Sequence, residues 1–295
     1  MSDASPILDR WARWLLERRH GGDPEALRRT LEYLWPVRDR VLANANVRPG
    51  DVLLDVGCGD GLIGFGALEL VGGGGRVMFS DISVDLLAHV ERLARDAGLA
   101  ERCTFVRADA TDLATIADGS LDVITTRSVL IYVKDKVGAF RAFHRVLRSD
   151  GRFSLFEPIN SFTPRERLWF GSWDMEAVRG PAQKLLDLYR RVQPDDDPMV
   201  DFDERDLFAF AERAGFTDIH LELQAKLERP TSPPAKWETF LRSSWNPKVP
   251  TLEEAMADAL TPREQQRFVS HVRPQVESGR QRPVPGAVAY LWGRR

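Results

Sequence analysis

The chain has 295 residues, 43% of them hydrophobic and 29% charged, with a formal net charge of −3. That composition is globular and supports a sizeable core, and it excludes a disordered chain or a broadly basic nucleic-acid binder. No apolar run reaches the roughly 18 residues a membrane span needs, and no secretory leader pattern is present, so the reading is a cytoplasmic chain without a membrane partner. The two cysteines, Cys58 and Cys103, read as reduced thiols, and no residue spacing suggests a metal site.

In chain order, residues 7–19 place Ile7, Trp11, Trp14 and Leu15 on one face of a helical period with arginines opposite, which predicts a docking helix. His20-Gly21-Gly22-Asp23-Pro24 interrupts it. Residues 25–45 then resume the period through Leu27, Leu31, Leu34, Val37 and Val41, so 1–46 read as a helical N-terminal cap.

Residues 52–61, Val-Leu-Leu-Asp-Val-Gly-Cys-Gly-Asp-Gly, are an apolar run that breaks into glycines. This predicts the first strand of a parallel sheet, covered on both faces, feeding a tight turn at its carboxyl end where such sheets bind ligands. Gly59-Asp60-Gly61-Leu62-Ile63-Gly64 satisfies a dinucleotide-binding pattern. A pyrophosphate, however, would meet Asp55 and Asp60 flanking the turn, whereas S-adenosylmethionine has no phosphate and carries a sulfonium and an ammonium. The second strand, from Arg76, ends in Asp81-Ile82-Ser83. A carboxylate there can accept hydrogen bonds from both hydroxyls of a ribose.

Asp55-Val-Gly57-Cys-Gly59-Asp-Gly61 resembles motif I of the class I S-adenosylmethionine-dependent methyltransferases. The resemblance implies that Asp55, Gly57, Gly59, Gly61, Asp81 and Ile82 hold the cofactor. It further implies that Asp109 and the amide of Ala110, after a third strand at 103–107, read the adenine edge. A fourth strand at 121–126 continues as Arg127-Ser-Val-Leu-Ile-Tyr-Val, where the family's backbone passes the methionine half of the cofactor. Arg127 stands there in place of the family's usual polar residue. A helix over 134–148 and a fifth strand at 152–158 complete a cofactor-binding core over 47–158.

Beyond Pro158 the pattern leaves the core. Residues 159–202 gather Phe162, Trp169, Phe170, Trp173 and Met175 with an amphipathic helix through Leu185, Leu188 and Tyr189, and read as a helical lid. Residues 203–230 carry a helix and the sixth strand, 231–284 a second helical insertion with Trp237, Phe240 and Trp245, and 285–295 a final strand. The resemblance implies that this last strand lies antiparallel between the fifth and sixth. The expected fold class is therefore α/β, a doubly wound Rossmann-like seven-stranded sheet with a helical N-terminal cap and helical insertions after strands five and six.

The expected activity is methyl transfer to an O, N or C atom of a small apolar or aromatic molecule held under the lid. Nucleic acid is not an expected partner. Candidate bases are His20, Tyr132 and Glu157, while His144, His220 and His271 sit in patterns that explain them structurally. Two alternatives stand beside this reading: a protein that binds S-adenosylmethionine without transferring methyl, and a dinucleotide-dependent oxidoreductase.

Overall fold

The computed structural model describes residues 8–164, 167–228, 235–279 and 281–295. Its centre is a seven-stranded sheet in the order β3-β2-β1-β4-β5-β7-β6. The strands are β1 Val52–Val56, β2 Arg76–Asp81, β3 Cys103–Arg107, β4 Leu121–Arg127, β5 Leu147–Pro158, β6 Thr217–Glu228 and β7 Val284–Arg294. β7 runs antiparallel between β5 and β6, with Tyr290 opposite both Phe156 and Glu222.

Alternation along the central strands covers both faces. Leu53 and Val123 face helices α2 (Pro24–Asn44), α3 (Leu62–Val71) and α4 (Val84–Asp96), through Val41, Ile63 and Val90. Their neighbours Leu54 and Ile124 face α5 (Lys136–Val146) and α7 (Glu204–Arg213), through Phe140 and Leu207. This two-sided burial is why these strands read as continuous apolar runs in the sequence.

At the amino end, α1 (Arg10–Arg13) leads into a wider π-helical segment, Trp14–Arg18, before Asp23 caps α2. Ile7, expected on the same face, lies outside the described residues. A separate apolar cluster unites α6 (Arg179–Val192), which precedes α7, with α8 (Trp237–Arg242), α9 (Leu252–Ala259) and α10 (Pro262–Ser278). Trp169, Phe170, Tyr189, Trp237 and Phe268 fill it, so aromatics from the segments after β5 and after β6 build one body. Residues 229–234, the end of 203–230 and the opening of the second insertion, lie outside the described residues. Among the described residues no helix is long and apolar enough to cross a membrane.

β4 ends at Arg127, close to its expected limit, where Ser128 turns with φ +55 and Leu130–Tyr132 coil into a short helical turn. The helix and strand expected over 134–148 and 152–158 meet differently. α5 ends at Val146, and β5 begins at Leu147 with a tight turn through Asp150 at φ +63.

Phe140 is fully buried, and its ring meets Phe143, Phe153 and Phe216 at centroid distances of 5.9, 5.8 and 6.2 Å. Phe140→Ala leaves a cavity between α5 and the sheet. It should cost about 3–5 kcal/mol in urea-induced unfolding; a loss under about 1 kcal/mol would contradict this packing.

Candidate cofactor and acceptor site

β1 has β2 on one side and β4 on the other, and at this switch point the loops leaving the carboxyl ends of the strands part to leave a cleft. Buried carboxylates fix those loops. Asp55, 1% exposed, accepts from Gly64 N at 3.0 Å and Thr125 Oγ1 at 3.2 Å. Asp81 accepts from Gly59 N at 3.1 Å and Ser83 N at 2.9 Å. Glu157, 0% exposed, accepts from the amides of Val129 and Leu130 at 2.9 Å each and Ile131 at 3.3 Å. Burial raises the pKa of all three against these hydrogen bonds, and Asp55 and Glu157 reach about 7.

The glycines serve distinct ends. A Cβ on Gly57 would lie 2.4 Å from Val129 Cγ2, so only glycine lets the β1 and β4 loops close together. Gly59 lies under Leu15 of the N-terminal segment, at 3.2 Å from its built Cβ. Gly61 caps α3 with φ +84.

A cavity of about 610 Å³ opens above these loops, within the ~300–1,000 Å³ of small-molecule sites. Its wall carries Asp81, Ile82, Ala108, Asp109, Ala110 and Thr111 together with Trp11, Trp14, Arg19, Tyr132, Met199 and Trp245; Gly57, Gly59 and Arg127 line it as well. Asp109 spends one oxygen on Thr111, whose amide and hydroxyl donate at 2.8 and 2.7 Å. The Tyr132 ring meets Trp11 edge to face at 4.9 Å, and burial pushes its phenol well above the ordinary value.

The N-terminal segment is stitched over this cavity. Asp9 caps α1, accepts from Ser83 Oγ at 2.6 Å and donates its amide to Asp85 Oδ2 at 2.6 Å, which docks α1 on the start of α4. On the other side Trp14 Nε1 donates to the Ser244 carbonyl at 2.9 Å, Ser244 N donates to the Arg18 carbonyl at 3.0 Å, and Arg18 pairs with Glu254.

The cavity thus brings together Gly57, Gly59, Asp81, Ile82, Asp109, Ala110, Arg127 and Tyr132. Four expectations are corrected. Asp55 does not line the cavity: it is 1% exposed and turned to Gly64 and Thr125, and burial raises its pKa, which weakens its charge. Gly61 belongs to the helix cap. Glu157 does not line the cavity: it is 0% exposed and is turned to the amides of the turn at 129–131. His20 is half-buried but lies outside the cavity wall, and burial, then the Arg19 charge, lowers its pKa. Burial also keeps the Cys58 thiol neutral, raising its pKa well above the ordinary value.

Sequence reasoning passed over Arg19 and Met199, and it named Trp245 as one aromatic of the second insertion without singling it out. Arg19 carried a signal: it continues the i, i+4, i+8 stripe of Trp11 and Leu15, where an apolar residue belongs. Met199 and Trp245 reach the cavity by tertiary folding alone, and no local pattern marks them.

The parallel sheet, its glycine turn and the strand-end acid are the features that the resemblance to class I S-adenosylmethionine-dependent methyltransferases leads one to expect. Residues 48–176 match the family model described as "Methyltransferase domain". The chain is 36% identical over 136 residues to nocamycin O-methyltransferase of Saccharothrix syringae, covering 46% of this chain and 48% of that one. It is 35% identical over 113 residues to the ubiquinone/menaquinone biosynthesis C-methyltransferase UbiE of Klebsiella pneumoniae, covering 38% of this chain and 45% of that one. The matches thus span about half the length of these relatives. Among solved structures the [4+2]-cyclase SpnF superposes with a TM-score of 0.52 at 17% identity, covering 88% of this chain and 81% of that one; at this identity the likeness is one of fold.

The ordinary values for Asp55 and Glu157 are 3.8 and 4.5, against about 7 in the folded chain. In between, the folded chain holds protons the unfolded chain has released, so the contribution is complete below about 4 and is lost as pH rises through about 7. Glu157→Gln removes one such group. Its urea midpoint should fall less between about pH 5 and about pH 8 than that of the parent chain, and an unchanged pH dependence would contradict the assignment.

Proposed function

We propose that this chain transfers a methyl group from S-adenosylmethionine to an O, N or C atom of a small molecule with an apolar or aromatic body. The observation that carries the reading is the single cavity in which the expected adenosine contacts, Asp81, Ile82, Asp109 and Ala110, share space with Trp11, Trp14, Tyr132 and Trp245.

The residues fit such a cofactor. Each Asp81 oxygen holds one backbone N–H and keeps a lone pair for a ribose hydroxyl, and Asp109 has an oxygen left for the adenine amino group. Ile82, 43% exposed, offers an apolar edge to the base, and Gly57 and Gly59 give the chain its close approach. Arg127, at the end of β4, suits the amino-acid carboxylate.

When bound, the cofactor supplies a methyl already activated on a sulfonium. The protein's task is then to align the acceptor and exclude water. Trp11, Trp14 and Trp245 supply apolar walls, and the N-terminal segment together with 159–202 and 231–284 acts as the lid. Tyr132 keeps its proton at neutral pH, so it orients the acceptor as a hydrogen-bond donor and is not the base. No protein base is assigned.

Calorimetric titration with S-adenosylhomocysteine should give saturable binding. Asp81→Asn should weaken it about tenfold or more, through loss of charge-assisted hydrogen bonds to the ribose. Binding of NADH in place of S-adenosylhomocysteine would overturn the reading and favour the oxidoreductase. Normal binding with no labelled methyl reaching any acceptor in a broad small-molecule screen would favour binding without transfer.

A further inference from the structure

The cavity wall holds more positive charge than the proposed cofactor accounts for. Arg19 and Arg127 both line it, with Lys134 at its exposed rim. Among the described residues neither arginine forms an ion pair. Arg19 lies over the Trp14 ring at 5.4 Å. Burial, then the charge of Arg127, lowers its pKa, while Asp60 and Tyr132 oppose that shift.

The carboxylates that share the cavity wall have their own attachments. Asp81 holds Gly59 and Ser83, Asp109 holds Thr111, and Asp135 caps α5 through Gly138 N at 2.8 Å. A half-buried guanidinium without an anionic partner is costly, and two that repel each other are more so. The cofactor in the reading above brings one carboxylate, which Arg127 takes. Arg19 remains without an anion to meet.

Resting on that reading, we propose that Arg19, together with the Tyr132 phenol, seats an oxyanion carried by the methyl acceptor, so that the substrates of this site are acidic small molecules with an aromatic or apolar body. The planar guanidinium matches a carboxylate or phenolate oxygen. Trp11 and Trp14 stand against the Tyr132 ring, line the same cavity and receive the apolar part.

The test titrates the protein saturated with S-adenosylhomocysteine with three probes: benzoate, 4-nitrophenolate and the neutral isostere benzamide. At least one anion should bind about tenfold or more tightly than benzamide, the worth of one charge-assisted hydrogen bond. Preference for benzoate assigns a carboxylate, and preference for 4-nitrophenolate assigns a phenolate or enolate. Arg19→Gln should abolish the preference and Arg19→Lys should keep part of it. Equal binding of all three, binding of none, or a preference that survives Arg19→Gln would overturn the proposal. If S-adenosylhomocysteine itself fails to bind, the cofactor reading falls separately, and the same titrations without it still decide whether Arg19 seats an anion.

Discussion

The site depends on carboxylates at the ends of strands that grip backbone amides of the loops around them. Asp81, at the end of β2, holds the glycine loop of β1 through Gly59, and Glu157, near the end of β5, holds the turn after β4 through three consecutive amides. Asp55 holds the first turn of α3. A loop that must stay open for a ligand cannot be fixed by apolar packing on its open side. Buried acceptors beneath it satisfy the amides and set its shape. The cost is desolvation of the carboxylates, visible in the raised pKa values of all three.

On that frame the rest of the molecule closes a chamber. The N-terminal segment reaches from Asp9 on α4 to Trp14 and Arg18 on the residues around α8 and α9, so its position is set at both ends by hydrogen bonds. The π-helical segment Trp14–Arg18 lies within this span, where an irregular helix alters the facing of its side chains. Trp11, Leu15 and Arg19 all line the cavity. The aromatic body built from α6, α8, α9 and α10 has its own apolar cluster, and among the described residues of 159–202 and 231–284 the cavity wall takes Asn160, Met199 and Trp245. Most of the aromatics that made 159–202 and 231–284 resemble a substrate enclosure therefore pack against one another.

Much of the fold was legible because its signals are local. The apolar run at 52–56, the glycine break and the strand-end Asp81 each lie within a few residues of one another, and buried strands and amphipathic helices carry different periods. The site was legible in part. Asp81, Ile82, Asp109, Ala110 and Tyr132 fell where the cavity is, because position at the carboxyl end of a parallel strand is itself a spatial statement. Asp55 and Glu157 did not, since a strand-end carboxylate can point toward the ligand or beneath the neighbouring loop, and only the three-dimensional course of the loop decides. Arg19 was missed for the opposite reason. Its place on an apolar stripe was local, but its meaning required the cavity and the second arginine.

The most direct measurement is a diffraction structure of the protein with S-adenosylhomocysteine. The account predicts ribose hydroxyls on Asp81, the adenine edge at Asp109 and Ala110, and the sulfur facing Tyr132 and the tryptophans of the N-terminal segment, with the strand-end carboxylates still holding their loops. A ligand bound outside this cavity, or Asp55 or Glu157 turned from the backbone amides toward it, would contradict the account.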